Sequence, residues 1–155
     1  MRKYYKTSYI LGKHPVFSQE LFEKYDTPAR NKLKEVLKDF IEDNPDTKQQ
    51  DFIIKSDACK YKFLEVQVCA NWIEDRFPYD KVYIHARKAH YGEDTVFLTM
   101  NKFLSRGYLF DAKSFKNSTP RRLKKYSREY VYDIPWNQVL LVYINTLDKE
   151  TFELF

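Results

Sequence analysis

The sequence predicts a mixed α+β fold, a central sheet of mixed or mostly antiparallel strands flanked by helices. Three observations carry that prediction. Leu33, Val36, Leu37, Phe40 and Ile41 recur at the i, i+3, i+4, i+7, i+8 spacing of one helical stripe. Runs rich in β-branched and aromatic residues at 52–54, 61–68, 95–101 and 139–144 read as strands bounded by polar turns. Three glycines stand against thirteen Tyr and twelve Phe in 155 residues, so the chain has few flexible joints and much aromatic surface to bury. That length suits one domain over residues 1–155 with a sizeable core.

Residues 1–12 are aromatic and basic, an edge strand or an extended arm, and Ser18 is placed to cap a short helix through about Tyr25. Thr27-Pro28 is a stronger start, since Thr caps and Pro is favoured at the first helical position. The helix bearing the apolar stripe is predicted to run to Asn44-Pro45. Asp51 to Cys69 reads as an antiparallel hairpin: Phe52-Ile53-Ile54 leads out, Ser56 to Lys60 turns, and Tyr61, Phe63, Leu64, Val66 and Val68 lead back. Residues 71–79 form a loop or helical turn. Val82, Ile84 and Ala86 alternate with Lys81, Tyr83, His85 and Arg87, which favours a strand over 81–88 rather than a helix capped by Asp80. Thr95 to Asn101 then returns as the next strand. Tyr108 to Phe110 is a short strand, Thr119-Pro120 opens a basic helix, and Tyr130 to Trp136 is extended. Val139 to Ile144 reads as a buried strand, and the apolar end 151–155 docks on the sheet.

Function concentrates in the hairpin. Glu65 and Gln67 are two apart, so on a strand they share a face. Polar groups on one face of an otherwise apolar strand are costly to bury unless something needs them. The hairpin returns Asp51 opposite Glu65, Val66 or Gln67 according to loop length, and a slip of one residue moves it to the other face. With an odd loop, three oxygen-bearing side chains converge. Two carboxylates and an amide oxygen suit Mg²⁺, which binds through one or two carboxylates plus waters and substrate phosphate. The competing reading makes Asp51 and Gln67 edge polar groups and Glu65 a solvent-facing strand residue.

Over residues 28–101 these features resemble the restriction-endonuclease-like, or PD-(D/E)xK, nucleases, whose pattern is an Asp at the start of one strand and Glu/Asp-x-Lys in the next. Here the pattern reads Asp51, thirteen intervening residues, then Glu65-Val66-Gln67, with Gln67 where Lys is usual, as in some members. Gln50, not Pro, precedes Asp51; the literal Pro45-Asp46 falls in a loop, and Asp57 falls at the turn. The resemblance implies a restriction-endonuclease-like core with a helix packed ahead of the first catalytic strand. It implies Mg²⁺ or Mn²⁺ held by Asp51 and Glu65, with Gln67 orienting a water or ligating through its oxygen. It also implies a nucleic-acid partner, DNA before RNA, and action as a homodimer in many members. Lys88, or Arg87 beside it, is the candidate for the positive charge that Gln67 cannot supply; the alternative is an exposed basic pair. His85 is a candidate general base, weighed against a hydrogen-bonded structural role. Glu35 is a further acidic candidate from the helix, beside an ordinary solvated role.

The net charge of +5 is concentrated. Between Asp111 and Glu129 there is no acid but seven bases: Lys113, Lys116, Arg121, Arg122, Lys124, Lys125 and Arg128. The other twenty bases face 22 acids. Cations in the first turn of a helix oppose its dipole, and a phosphate backbone would relieve that. Phe115, Tyr126 and Tyr130 lie among them to stack on bases; the alternative is a solvated basic loop. No apolar run approaches the ~20 residues of a membrane span, and the N-terminus lacks an apolar signal core. Two cysteines and three histidines without zinc spacing fit a reducing interior. The expectation is an intracellular protein, cytoplasmic or nuclear, of a composition compatible with an AT-rich viral genome. The alternatives to a nuclease are a non-catalytic nucleic-acid-binding protein, as a degenerate nuclease, and a viral structural or interaction protein.

Overall fold

The computed structural model describes residues 22–123 and 129–155. The expectations placed on residues 1–12, Ser18, Lys124, Lys125, Tyr126 and Arg128 lie outside the described residues. A π-helical turn, Phe22–Asp26, runs into α1, Thr27–Leu37, with Pro28 in its first turn where a missing N–H costs nothing. Six strands follow in one sheet: β1 Ile41–Asp43, β2 Phe52–Ile54, β3 Phe63–Cys69, β5 Thr95–Asn101, β6 Arg106–Asp111 and β9 Leu140–Tyr143. Their spatial order is β1-β2-β3-β5-β6-β9, with β3 and β5 parallel and every other neighbouring pair antiparallel. A second sheet holds β4 Val82–His85, β8 Tyr130–Ile134 and β7 Arg121–Arg122, in the order β4-β8-β7. The chain closes with α2, Lys149–Leu154, whose first turn is capped by Asp148 accepting from the Thr151 amide at 3.1 Å.

The two faces of the large sheet carry different cores. Leu64, Val66, Val96, Leu98, Leu109 and Val142 pack with Leu33 and Leu37 of α1 and Phe152 of α2. Phe97 and Phe110, on the other face, pack with Trp72 and with Val82, Ile84 and Ile134 of the small sheet. The fold is therefore mixed α+β, but helices cover one face and a second sheet covers the other.

Several expected elements take another form. The apolar stripe from Leu33 continues through Phe40 and Ile41, yet α1 stops at Leu37. Lys38 turns to φ 47, residues Lys38–Phe40 form a 3₁₀ turn, and Ile41 opens β1. Phe40 and Ile41 stay buried, so the same apolar spacing is satisfied by a different backbone. The predicted strand over 81–88 ends at His85, and Ala86–Lys88 is a 3₁₀ turn. β4 does not pair with β5 but crosses to the small sheet. β5 is buried at all seven positions, the pattern of a central strand covered on both faces, and it pairs with β3 and β6. Thr119-Pro120 opens the two-residue strand β7 rather than a helix. β9 is an edge strand in which Leu140, Leu141 and Tyr143 are exposed and Val142 is buried, not a buried strand.

Gly107 in β6 lies where backbones and side chains meet closely. A Cβ there would stand 2.7 Å from Leu98 Cδ1 and 3.0 Å from the Thr99 carbonyl oxygen. Gly107→Ala is expected to cost about 1–3 kcal/mol, read as a lowered urea midpoint with an unchanged slope.

Candidate functional site

The hairpin register decides which side chains meet. Phe52 pairs with Leu64 and Ile53 with Phe63; carried back one residue, the pairing sets Asp51 opposite Glu65. Directly opposed residues of an antiparallel pair point to one face. The two residues exchange contacts. The Asp51 amide donates to Glu65 Oε1 at 3.1 Å, and the Val66 amide donates to Asp51 Oδ2 at 2.9 Å. Each residue is 2% exposed. Buried carboxylates require compensating donors and cations, and the structure supplies both.

Arg30 reaches in from α1. Its Nη1 donates to Asp51 Oδ1 at 3.2 Å, its Nη2 donates to Asp43 Oδ1, and its guanidinium carbon stands 4.6 Å from the centre of the Phe52 ring. Lys34, one turn further along α1, reaches Asp43 Oδ2 at 3.2 Å. Burial alone would raise the Asp43 carboxyl, but Lys34 and Arg30 outweigh it and hold it below the usual carboxylate value. Lys88, itself buried, brings Nζ to 3.4 Å from Glu65 Oε2. Lys88 sits on the 3₁₀ turn after β4, not on the strand expected to carry it.

Gln67 shares the Glu65 face by strand alternation. Its Nε2 donates to Thr99 Oγ1 at 2.7 Å and to the Tyr83 carbonyl at 3.0 Å, tying β3 to β5 and to β4. Gln67, Thr99, Cys69, Phe77, Tyr83 and His85 border a cavity of about 50 Å³ between the two sheets. The 3₁₀ turn after β4 thus meets Glu65 through Lys88, while β4 itself meets Gln67 through Tyr83. His85 lies between those two contacts in the chain.

A second buried acid stands behind His85. Glu129, 5% exposed, places Oε1 2.5 Å from His85 Nδ1, out of line for a straight hydrogen bond, and accepts from Arg87 Nη1 at 2.7 Å. Burial is the main influence on His85 and lowers its pKa to about 4; Glu129 pulls upward, and Arg87 and Lys88 push downward. A histidine with a lowered folded pKa binds protons better unfolded. Its contribution to stability is therefore complete above pH ~6.5 and lost as pH falls toward about 4. The urea midpoint is expected to fall between pH 7 and pH 5, and His85→Asn to flatten that dependence. Equal pH dependence in the two proteins would assign the effect elsewhere.

The basic tract is acid-free in sequence but not in space. Arg121 forms a two-pronged pair with Asp133, at 2.6 and 3.0 Å, which raises its pKa. Lys116 lies 3.5 Å from Glu93. Lys113 and Arg122 are exposed. Phe115, expected to stack on bases, is buried in the second core at 3% exposure, whereas Tyr130 is 45% exposed.

The structure thus brings Asp51, Glu65 and Lys88 together, sets Gln67 on the adjoining stretch of the same face, and pairs two of the described bases of the tract, Lys116 and Arg121, with acids outside that cluster. Two residues of the cluster escape a reading of the sequence. Arg30 stands three before Leu33 on the apolar stripe, and a cation at a core-facing helical position was the available signal. Glu129 is the first acid after the basic tract, and nothing in the sequence ties it to His85. Among the described residues no three His, Cys, Asp or Glu side chains are grouped to share a metal ion, and no helix is long and apolar enough to cross a membrane. No protein-family model matches the chain, and comparisons with curated proteins and with solved structures find no match either.

Proposed function

We propose that the protein is a metal-dependent nuclease with a restriction-endonuclease-like core, acting on phosphodiester bonds of DNA in preference to RNA. One observation carries the reading: Asp51, at the entry to β2, and Glu65, on β3, face each other across the hairpin with a cation on each. A helix, α1, precedes the first of these strands, and Lys88 places at Glu65 a positive charge that Gln67 lacks.

The donor set fits a divalent cation in kind. Each carboxylate gives one oxygen to a backbone amide, and its other oxygen, Asp51 Oδ1 or Glu65 Oε2, faces positive charge. Asp51 and Glu65 would hold Mg²⁺ or Mn²⁺ in competition with Arg30 and Lys88. The ion, when bound, supplies an acidified water and charge neutralisation at the scissile phosphate. Lys88, a compact charge on a flexible stem, is able to leave Glu65 for a phosphate oxygen. Gln67, anchored through Nε2, has Oε1 uncommitted among the described residues and so is able to accept from a water.

The test is incubation of the full chain with labelled single-stranded and duplex DNA in Mg²⁺, in Mn²⁺ and in EDTA. Cleavage that EDTA abolishes supports the reading. Binding without cleavage favours a second reading, a non-catalytic nucleic-acid-binding protein derived from a nuclease. The 2% exposure of both carboxylates favours that second reading, because buried, paired acids serve structure as well as chemistry. Neither binding nor cleavage removes both.

Under either reading the exposed bases Lys113 and Arg122 meet the phosphate backbone. Lys113→Ala and Arg122→Ala are each expected to weaken DNA binding without sequence preference and to reduce the salt slope of log K by roughly 1. A titration across 50–200 mM salt checks this; an unchanged slope places those residues off the contact surface.

A further inference from the structure

We propose that β9 is the contact strand of a two-fold homodimer: a second copy of this chain lays its own β9 antiparallel against it, and the two six-stranded sheets run on as one. The paired acids play no part in this contact, so a chain that does not cleave DNA is still expected to dimerise.

The large sheet ends at β9 on one side and at β1 on the other. Ile144 donates its amide to the Ser105 carbonyl at 2.9 Å, and Tyr143 pairs with Arg106 in the same register. Bonded positions alternate along an antiparallel pair, so Val142 and Leu140 also turn their backbone groups toward β6. Leu141 and Tyr143 turn theirs outward, and neither amide has a partner among the described residues. The Tyr143 carbonyl takes a hydrogen bond from Thr146 Oγ1 at 3.4 Å, which leaves it a second lone pair.

Proteins guard open strand edges with charge or cover. β1 carries the exposed acids Glu42 and Asp43, and β7, at the edge of the small sheet, is Arg121-Arg122. The Tyr83 carbonyl of β4 is taken by Gln67. β9 has no such guard: it reads Leu-Leu-Val-Tyr. It lies in a run of fourteen residues, 134–147, without Asp, Glu, Lys, Arg or His, in a chain of which 32% is charged. Within that run Trp136, Leu141 and Tyr143 are 41–54% exposed. Leu141 stands opposite Tyr108, which meets Trp136 edge-on at 5.4 Å. Tyr143 stands opposite Arg106, whose guanidinium carbon is 5.4 Å from its ring centre and whose charge is met by Asp75 at 3.0 Å. Trp136, Tyr108, Leu141 and Tyr143 thus make one apolar strip along the open edge, and Tyr, Trp and Arg are the residue types that anchor protein contacts.

The spacing of the outward groups selects a second copy as the occupant. Leu141 and Tyr143 flank Val142 symmetrically. A two-fold axis at Val142 sets Leu141 of each copy opposite Tyr143 of the other, and each such pair exchanges both N–H···O bonds. Leucine then packs on tyrosine across the seam on the face of the strip, and Val142 meets its own copy on the other face. The net charge of +5 makes two copies repel where charged surfaces meet, and the uncharged run is where their approach costs least.

The experiment is sedimentation equilibrium of the full chain between about 10 µM and 1 mM, with amide hydrogen exchange followed by NMR over the same range. The mass is expected to rise with concentration toward twice the 18.8 kDa of one chain. The Leu141 and Tyr143 amides are expected to slow as the dimer fills, while those of Val142 and Ile144 are slow throughout. Leu141→Lys and Tyr143→Lys, each first shown to be folded by its urea transition, are expected to raise the dissociation constant at least roughly tenfold. Leu141→Pro removes an N–H that β6 does not use and is expected to break the dimer in a folded chain; should it unfold, the lysine variants carry the test. A mass of one chain at every concentration overturns the second copy and leaves the edge to a strand of another protein. A dimer that both lysine variants leave unchanged, or in which the Leu141 and Tyr143 amides exchange as fast as in the single chain, is held by another surface and also overturns the seam.

Discussion

Glu65→Gln is expected to reduce Mg²⁺-dependent cleavage to the level of the EDTA control while the chain stays folded. The substitution keeps the shape of the side chain and an acceptor for the Asp51 amide, which donates to Oε1 at 3.1 Å. It removes the negative charge that faces Lys88 Nζ and would draw a divalent cation. A comparison with Glu65→Ala separates charge from packing. Both variants remove the carboxylate charge that faces Lys88 Nζ; the alanine variant also deletes the acceptor for the Asp51 amide and opens a cavity, and it is expected to lose about 3–5 kcal/mol of stability. Glutamine is expected to lose less, about 1.5–3 kcal/mol, because one charged partner is lost and no cavity opens. Cleavage by Glu65→Gln at the wild-type rate would leave the pair of acids as structure alone. A folded, inactive Glu65→Gln that still binds DNA with the wild-type salt slope would tie the acid to chemistry rather than to grip.

The hairpin was legible because its two apolar arms and its polar turn are local in sequence, and the same locality explains what was not. Asp51 and Glu65 can meet in one register and miss in the next, and the turn residues 56–60 contain no Asn-Gly or Pro that would fix the loop. Pairing of β3 with β5 joins residues about thirty apart, and β5 taken alone reads equally well as the return arm of a hairpin from β4. Its burial at every position marks a central strand, but a seven-residue run cannot name its neighbours. The end of α1 was hidden by Phe40 and Ile41, whose burial suits a helix as well as the turn and strand they form. The basic tract misled differently. Its lack of acids is a property of the chain, whereas Asp133 and Glu93 reach Arg121 and Lys116 from other elements. Long-range partners of charged residues are set by topology, which is why Glu129 at His85 had no counterpart in the sequence.

Arg30→Met is expected to be among the most destabilising single changes in the chain, and its pH dependence identifies the cause. Methionine retains an unbranched side chain over the Phe52 ring and keeps α1 helical, since both residues favour helix. What disappears is the guanidinium that joins Asp51 of the hairpin to Asp43 of β1. Asp51 stays at 2% exposure and loses the Arg30 guanidinium, and breaking such a pair from one side costs about 3–5 kcal/mol at neutral pH. Asp43 adds a recognisable signature. Its carboxyl is held below its ordinary value, so its contribution is present above about pH 3.8 and fades as pH falls through the lower folded value. The difference between wild type and Arg30→Met is therefore expected to stay level from pH 7 to about pH 4 and to narrow below it, measured by urea midpoints at pH 7, 4 and 2.5. A constant difference across that range would mean that Arg30 acts through packing on Phe52. In that case the hairpin would keep its register without help from α1, and the acids would owe their meeting to the strands alone.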